Sequence, residues 1–488
     1  GSVVASTDSG ESQTRSVRFT GSLNYSYDNR YVVSATVTEE GNSSMGRNRR
    51  FGTFPSFGAS WNLDREHFVE DYDWLTTAKL RGSLGWSGNA PSSGYYYLGA
   101  YSTVGTYGTM SAIAPSRMQL DKLKWESKRE WDLGFDLLFM DRYGMTFDYY
   151  DNYTTDCLMK DVSIPSYTGF SSVKWMNSGE MSNKGWEFRF DIEAFRSKMW
   201  SVKVGVNAAR NINKVEKLPT NWNQENYTFG NGNYAVRILE GDPIGSFYGY
   251  RYLGVYKNTE DTYAYDANGG VMQDFNGNVV KMKNGTMSVY PGDAKYEDIN
   301  HDGVIDEQDI VYLGNSNPTL TGGGNLSVRY GSTKSSFGLF TFSMNCNFRI
   351  GQKVINSARM SLESMYGTGN QSTAVLRRWR KEGDDTDIPR ALYGMGYNYL
   401  GSDRFVEDAS YCRIKTLSLS WSMPKQWVER ARFASCSIFV TGYDLFTFTN
   451  YSGQNPEVSL PSKPTKLVED GNTTPVSKRF ACGVNLNF

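Results

Sequence analysis

The chain has 488 residues, a formal net charge of -1 and a mean hydropathy of -0.53. The near-neutral charge argues against a nucleic-acid-binding face, and five scattered cysteines without CxxC spacing indicate neither a disulfide framework nor a zinc site. No apolar run reaches the roughly 18 residues of a transmembrane helix. Because a barrel strand faces lipid with only every second residue, this polar composition still permits a membrane-spanning β-barrel.

Apolar and polar residues alternate with a period of two, which is typical of β-strands. In chain order, the clearest alternating segments are 19–27, 31–37, 80–86, 133–139, 186–192, 202–208, 340–348, 417–423 and 480–488. Counted along the whole chain, the pattern predicts about thirteen strands, many near the 9–11 residues that a tilted strand needs to cross a bilayer.

The connections between predicted strands are alternately short and long. Short turns fall at 28–30, 141–143 and 331–335, and long connections at 88–128, 155–183, 212–322 and 351–403. Outer-membrane barrels show this asymmetry, with short periplasmic turns and long extracellular loops. Short helical turns are expected at 62–75 and 424–433, and the main helix is predicted within the loop 351–403, from Ser357 to Arg380 with an interruption at Gly367–Gly369.

The strand count gives a further expectation. If the first and last strands both run towards the periplasm, the number of strands is odd, whereas a bacterial single-chain barrel has an even number. The chain is therefore expected not to close a barrel alone. The remaining strands would come from another segment or chain.

The segment 298–309 matches a calcium-binding loop in its spacing. Oxygen-bearing side chains occupy positions 1, 3, 5, 9 and 12, with glycine at position 6. The predicted ligands are Asp298, Asn300, Asp302, Asp306, Asp309 and the carbonyl of Val304. Calcium accepts several hard oxygens in flexible geometry; the alternative is an Asx-rich turn that holds no metal. Such a site would brace a loop.

Aromatic residues make up 15% of the chain. Those near strand ends, such as Tyr25, Tyr27, Tyr149, Tyr150 and Trp186, are expected to form an interfacial girdle. Loop aromatics could stack on sugar rings or pack against other loops; these candidates are Tyr95, Tyr96, Tyr97, Trp175 and Trp222. The terminal Phe488 either acts as a barrel-assembly signal or is simply the last apolar position of its strand.

Enzyme hypotheses find little support. The two histidines, His67 and His301, are too few for a histidine-rich metal centre and poor support for a catalytic triad. No phosphate-binding GxxxxGK[ST] motif and no GxSxG elbow is present. We expect a protein that is not an enzyme.

A series of segments resembles the SusC-like family of TonB-dependent outer-membrane transporters. The resemblance covers nearly the whole chain, and it is the order of these segments that is specific. They are 30–37, 51–56, 80–89, 124–126, 177–185, 241–250, 404–411 and 451–457, followed by the terminal Phe488.

The resemblance implies an all-β fold: a transmembrane antiparallel barrel of about 22 strands, of which this chain supplies the C-terminal portion. It implies that the plug, the TonB-contacting segment and roughly nine strands lie outside the chain. The implied partners are a SusD-like surface lipoprotein that lids the mouth, the TonB–ExbB–ExbD complex, membrane lipid and lipopolysaccharide. The implied substrates are glycan or peptide oligomers. Two alternatives stay open: a soluble secreted glycan-binding protein or adhesin, and a passive porin.

Overall fold

The computed structural model describes residues 13–69, 71–91, 95, 97–220, 222, 227–458, 466–471 and 474–488. Within these ranges the fold is all-β, and its main antiparallel sheet has thirteen strands, each paired with its neighbours in chain order. By their internal contacts the residues divide into two compact units. The N-terminal unit comprises 1–192, 211–223 and 239–241, and the C-terminal unit comprises 193–210, 224–238 and 242–488.

Among the described residues, the N-terminal unit holds ten complete strands, most of an eleventh and the end of a twelfth, which begins in the C-terminal unit. In chain order they are β1 (Ser16–Tyr27), β2 (Tyr31–Asn42), β3 (Phe51–Asn62), β4 (Leu75–Asn89), β5 (Ala100–Tyr107), β6 (Met110–Arg117), β7 (Glu126–Phe139), β8 (Tyr143–Thr155), β9 (Leu158–Ser163), β10 (Ser172–Asn177), β11 (Glu180–Arg196) and β12 (Trp200–Lys217). The β5–β6 and β9–β10 pairs are separate hairpins within the long connections.

Register gives the sheet of the N-terminal unit two chemically different faces, because directly paired residues of an antiparallel sheet point to the same side. One row across the strands is apolar, and its large side chains are exposed: Leu133 is 53% and Val33 51% accessible. That row runs Tyr25, Val33, Ala59, Gly82, Leu133, Tyr149, Trp186. The adjacent row on the other face is mainly small and polar and runs Asn24, Ser34, Gly58, Ser83, Asp132, Tyr150, Gly185.

Aromatic rings gather where the strands of this unit meet short turns. Tyr31 stacks between Tyr27 and Trp61, with centroids 6.5 and 6.3 Å away, and Trp74 stacks on Phe139 at 5.8 Å. Such a belt is expected at a membrane–water interface.

The Glu66 carboxylate links two members of this aromatic belt. It accepts hydrogen bonds from the Tyr31 hydroxyl at 2.6 Å and from the Trp61 indole N–H at 2.8 Å. Of the aromatics predicted for the girdle, Tyr27 lies in the belt, but the prediction was wrong for Tyr150. Its side chain points to the polar face, a consequence of register that alternation alone does not fix.

The C-terminal unit holds the remaining strands. They are β13 (Ser246–Gly249), β14 (Tyr252–Val255), β15 (Lys283–Asn284), β16 (Met287–Ser288), β17 (Ala294–Tyr296), β18 (Val304–Ile305), β19 (Val311–Asn315), β20 (Leu320–Gly331), β21 (Leu339–Ile350), β22 (Lys353–Ile355), β23 (Val406–Asp408), β24 (Tyr411–Ser422), β25 (Ser435–Thr449) and β26 (Arg479–Asn487). The long strands β20, β21, β24, β25 and β26 belong to the main sheet, and the short ones pair among themselves.

The same two-faced arrangement occurs in this unit. An apolar row runs Val202, Val328, Phe342, Leu419, Val440, Cys482, and a mainly polar row runs Lys203, Ser327, Ser343, Ser418, Thr441, Ala481. Leu419 and Val440 are 53% and 51% exposed. A sheet that leaves such side chains uncovered requires an apolar surrounding, and lipid supplies one.

Irregularities in register occur at one place in β24 and β25, and the one in β24 reverses its alternation. In β24, Lys415 lies between Ile414 and Thr416 and has no partner residue in β21. In β25, the two residues Asp444 and Leu445 lie opposite Lys415 and are likewise left out of the pairing. Asp444 has φ +52°, the left-handed conformation that a bulge often requires. The bulges place Arg413 on the polar face, where its guanidinium donates to Glu457 at 2.7 Å.

The long connections of the C-terminal unit have a hydrophobic core of their own. Its buried members come from distant parts of the sequence: Tyr250, Tyr256, Ala264, Met282, Val289, Ala294, Tyr296, Ile305 and Leu400. The amide of Leu400 donates to the Tyr296 hydroxyl at 3.0 Å, which fixes the segment after residue 390 against β17. These connections are therefore folded structures.

Helical structure is sparse. The α-helices are α1 (Ser357–Glu363) and α2 (Lys425–Arg430), and single 3-10 turns occur at Leu63–Arg65, Ser166–Thr168, Glu260–Thr262, Glu307–Asp309, Thr373–Arg377 and Asp403–Phe405. The helical turns expected at 62–75 and 424–433 are confirmed. The helix predicted from Ser357 to Arg380 is wrong in length, because α1 ends at Glu363 and only a 3-10 turn follows. Among the described residues, no helix is both long and apolar enough to cross a membrane.

The sheet has two edge strands in the part of the chain that the structure describes. β1 pairs only with β2, and β26 pairs only with β25. All twelve residues of β1 are exposed. Each of these two strands therefore has one partner strand among the described residues, and completion of the barrel by further strands stays a prediction.

Candidate functional site

A cavity of about 580 Å³ lies on the polar face of the N-terminal unit. Its lining side chains come from five neighbouring strands and include Arg81, Asp132, Asp148, Tyr150, Asn183, Glu187 and Asn211. Period-two alternation sends these residues to one side of each strand, and register then places them side by side. Sequence reasoning missed this cavity because register cannot be read from a single strand.

Arg81 organises the carboxylates of the cavity. Its guanidinium Nη1 lies 2.6 Å from Asp148 Oδ1 and 3.5 Å from Asp132 Oδ1, and its Nε lies 3.1 Å from Asp136 Oδ2. Gly134 is paired between Arg81 and Asp148, and a Cβ there would come within 2.2 Å of Asp148 Oδ1. Glycine at this position therefore leaves the space that the ion pair occupies.

A hydrogen-bonded rim continues the cavity towards β12. The Tyr150 hydroxyl donates to Asn211 Oδ1 at 3.1 Å, and the amides of Asn211 and Asn213 donate to Asn183 Oδ1 at 3.2 and 3.0 Å. Lining carboxylates outnumber lining cations, with Glu130, Asp132, Asp148 and Glu187 against Arg81 and Lys128. Such a wall suits neutral polar or cationic groups.

The segment 298–309 closes into a compact turn. Asp298 Oδ2 accepts from the amide of Gly303 at 2.8 Å, Asp302 Oδ1 accepts from the amide of Val304 at 2.8 Å, and Asp309 Oδ1 reaches back to the amide of Ile299 at 2.8 Å. Ile305 anchors the turn in the core of the long connections. The structure therefore brings the two ends of the predicted calcium loop together.

The oxygens of this turn are engaged with backbone amides. Asn300 Oδ1 and Asp306 Oδ1 accept from the amides of Asp302 and Gln308, and burial raises the pKa of Asp309, whose side chain is fully enclosed. Nowhere in the described ranges do three or more His, Cys, Asp or Glu side chains form a group that could hold a metal ion. The geometry matches the Asx-rich alternative, and calcium binding stays a prediction.

The predicted sugar-stacking aromatics lie in separate segments. Tyr95 is 41% exposed, and its hydroxyl accepts from the amide of Gln13 at 3.1 Å. Trp175, on β10, is buried, and the Lys160 ammonium lies 4.6 Å from its ring centroid, so it packs within the hairpin. Trp222 follows β12 and is partly buried. Tyr96 lies outside the described residues.

The terminal Phe488 belongs to an aromatic group at one end of the sheet in the C-terminal unit. Its ring meets Phe433 edge-on at 5.1 Å, while Trp421 lies 6.1 Å from Phe340 and 6.3 Å from Trp427. Phe488 itself is 91% exposed. Its position suits an interfacial residue, and a role in barrel assembly stays a prediction.

Comparison with known proteins places this two-faced sheet in a family. Residues 5–279 match the family model described as TonB dependent receptor-like, beta-barrel. A TonB-dependent receptor of Formosa agariphila is 30% identical over 509 residues, covering 100% of this chain and 47% of the relative. The TonB-dependent receptor SusC of Bacteroides thetaiotaomicron is 25% identical, covering 97% of this chain and 44% of SusC.

Solved structures agree on the fold. The RagAB peptide transporter matches with a TM-score of 0.75 and 22% identity, covering 97% of this chain and 48% of the solved chain, and its open state matches with a TM-score of 0.77. The chain thus spans about half the length of the relatives it matches. The family and the uncovered apolar rows leave no support for the soluble alternative. The chain belongs to the β-barrel family of TonB-dependent receptors, is SusC-like, and is a protein of the bacterial outer membrane.

Proposed function

We propose that this chain is the C-terminal part of the barrel of an active transporter that imports glycan or peptide oligomers across the outer membrane. The observation that carries the proposal is the sheet with one exposed apolar face and one polar face bearing a cavity of about 580 Å³. An apolar face suits contact with lipid, and a polar face suits a solute pathway. No group of the chain has to perform covalent chemistry in this role.

The aromatic belts and the connection lengths support the orientation that we propose. We assign the short turns to the periplasm and the long connections, at 218–319 and 351–410 among others, to the cell exterior. The proposed partners are a SusD-like surface lipoprotein over the mouth, the TonB–ExbB–ExbD complex as the energy source, and the plug and further strands that complete the barrel. Similarity to SusC and to the RagAB peptide transporter supports this set.

Deleting TonB in the host is expected to abolish uptake of the nutrient as completely as deleting the transporter. Cells would be fed isotope-labelled oligosaccharide and peptide pools, and intracellular label would be measured by mass spectrometry. Energy dependence is expected because a plugged barrel opens only when work is done on it. Uptake that persists without TonB but is lost with the transporter would identify a passive porin instead.

We further propose that the segment 298–309 binds calcium at the cell exterior. The support is the ligand spacing and the closed turn, which would place Asp298, Asn300, Asp302, Val304, Asp306 and Asp309 around one ion. The extracellular assignment makes weak binding, about 0.1–1 mM, sufficient. The ion would brace the connection between β17 and β19.

Calcium at about 100 times its Kd is expected to stabilise this region by about 2.7 kcal/mol, and EDTA to reverse the effect. Differential scanning fluorimetry of the full-length protein in detergent would measure it, with Asp302→Ala removing the response. Asp274→Ala is the matched control, because Asp274 makes the same kind of turn, accepting from the amides of Asn276 and Asn278. An unfolding midpoint indifferent to calcium and EDTA would leave only the Asx-rich turn.

A further inference from the structure

The long strands of the C-terminal unit carry an unbalanced charge. Within β20, β21, β24, β25 and β26 the one acidic residue is Asp444. The basic residues of the same strands are Arg329, Arg349, Arg413, Lys415 and Arg479. A surface with such an excess of cations attracts anionic groups and repels cationic ones.

Glu457, which follows β25, shows that this surface binds a carboxylate. Its Oε2 accepts from Arg413 Nη1 at 2.7 Å and from Lys415 Nζ at 2.7 Å. Burial works to raise the pKa of Glu457, but the hydrogen bond from Lys415 and the charges of Arg413 and Arg349 hold that pKa below its ordinary value. The surface therefore stabilises a carboxylate in its charged form.

Arg349 is the guanidinium of this group that is left available. It is paired with Thr321 and Tyr411, beside the pair of Asn347 with Arg413, so it points to the same polar face as Arg413. Among the described residues the Arg349 side chain makes no hydrogen bond or ion pair. It is half-buried, and its unpaired nitrogens are open to solvent. Arg413, by contrast, is only 2% exposed.

The acids nearby do not neutralise Arg349. Glu457 is engaged by Arg413 and Lys415, and Asp444 Oδ1 lies 3.7 Å from Lys415 Nζ. Two carboxylates thus face three cations, and one positive charge remains. A planar guanidinium with unused N–H groups fits a carboxylate through two parallel hydrogen bonds.

The position of Arg349 along the strands suits an entrance. It lies one residue before the end of β21, next to the connection 351–410 that we assign to the cell exterior. Arg329 lies at the opposite end of the β20–β21 pair, where it is paired with Thr341. A solute entering from outside would therefore meet Arg349 first.

We infer that Arg349 binds a carboxylate group of the transported solute on the polar face, and that this solute is an acidic oligomer. The carboxylate belongs to a uronic acid of a glycan or to the C-terminus of a peptide. This inference rests on the proposed function, because it takes the polar face to be the solute pathway. Binding is measured on purified protein and uptake in cells, so the failure of one is distinguishable from the failure of the other.

Ligand-observed NMR titrations of the full-length protein in detergent test the site with two matched pairs of probes. The glycan pair is trigalacturonate and its methyl ester, and the peptide pair is N-acetyltrialanine and its C-terminal amide. At least one acid is expected to bind about tenfold more tightly than its neutral partner, as a charged hydrogen-bonded pair would give. The pair that shows the preference identifies the source of the carboxylate.

Three variants assign the preference to one residue. Arg349→Gln is expected to remove the advantage of the acid and to leave binding of the neutral partner unchanged. Arg349→Lys should keep part of that advantage, since an ammonium retains the charge but not the planar fork. Arg329→Gln is the matched control and should keep all of it. The thermal midpoint should stay unchanged, because Arg349 has no partner to lose among the described residues.

Three results would overturn the carboxylate site. The first is that neither acid binds more tightly than its neutral partner, which would make Arg349 a solvated surface charge. The second is that Arg329→Gln lowers the preference as much as Arg349→Gln, which would indicate a diffuse field. The third is that a sulfated trisaccharide outcompetes both acids and loses this advantage in Arg349→Gln, which would indicate a sulfate site.

Discussion

Replacing Glu363 with alanine is expected to destabilise the folded connection 351–410 by about 3–5 kcal/mol, the usual cost of leaving a buried charge unpaired. The carboxylate of Glu363 accepts from Arg404 at 2.9 Å and from Arg359 at 3.0 Å. The Glu363 and Arg404 side chains are each 6% exposed. Truncation would leave the Arg404 guanidinium buried between the rings of Tyr252 and Phe405 without its carboxylate.

Hydrogen–deuterium exchange of the full-length protein would measure this loss in peptides covering α1 and residues 403–408. The control is Glu429→Ala, which removes an exposed ion pair with Lys425 in α2. Solvent and mobility weaken such surface pairs, so a loss of about 0.3–0.5 kcal/mol is expected there. Equal protection from exchange in the two variants would show that the buried ion pair stabilises the protein no more than the exposed one.

The substitution Leu419→Lys is expected to lower the free energy of unfolding by about 2–4 kcal/mol for a position near the bilayer midplane. The reason is that the lysine ammonium would be exposed to lipid. The neighbouring change Ser420→Lys is the matched control. Ser420 is paired with Thr341 on the opposite face, where water or polar groups receive the charge. Both changes alter one strand, β24, by the same side chain.

The measurement uses gel electrophoresis of unboiled outer-membrane samples. It gives the proportion of the full-length protein that migrates as the compact, folded species. Leu419→Lys should lose most of that species and Ser420→Lys should retain it. Equal loss in the two variants would contradict the assignment of faces. Retention in both would place the apolar row away from lipid.

Much of the fold can be predicted from the sequence, because a strand with one apolar side leaves a period of two. The turns at 28–30 and 141–143 fall where Asp28, Asn29 and Asp141 adopt left-handed conformations. The long connections also begin and end close to the predicted positions. Alternation within a strand is a local property, so it survives without knowledge of the neighbouring strands.

What the sequence could not supply is non-local. The cavity around Arg81 depends on Gly134 and Asp148 being its neighbours across two strands, which is a matter of register. The core of the connections joins Tyr250 to Leu400, residues far apart in the chain. The helix from Ser357 was overestimated because the chain turns at Met365, which has φ +50°, and the residues beyond Gly369 form only a 3-10 turn, Thr373–Arg377.

The bulge at Lys415 shows how an inserted or deleted residue changes the two faces of a membrane-spanning strand. If β24 alternated without interruption, Arg413 would point to the same side as Leu417 and Leu419, which is the side facing hydrocarbon. The extra residue Lys415 reverses the alternation, so the Arg413 guanidinium points to the other side and donates to Glu457 and Asn455. Insertions and deletions of a single residue therefore act on every position beyond them, while two-residue changes preserve which environment each side chain meets.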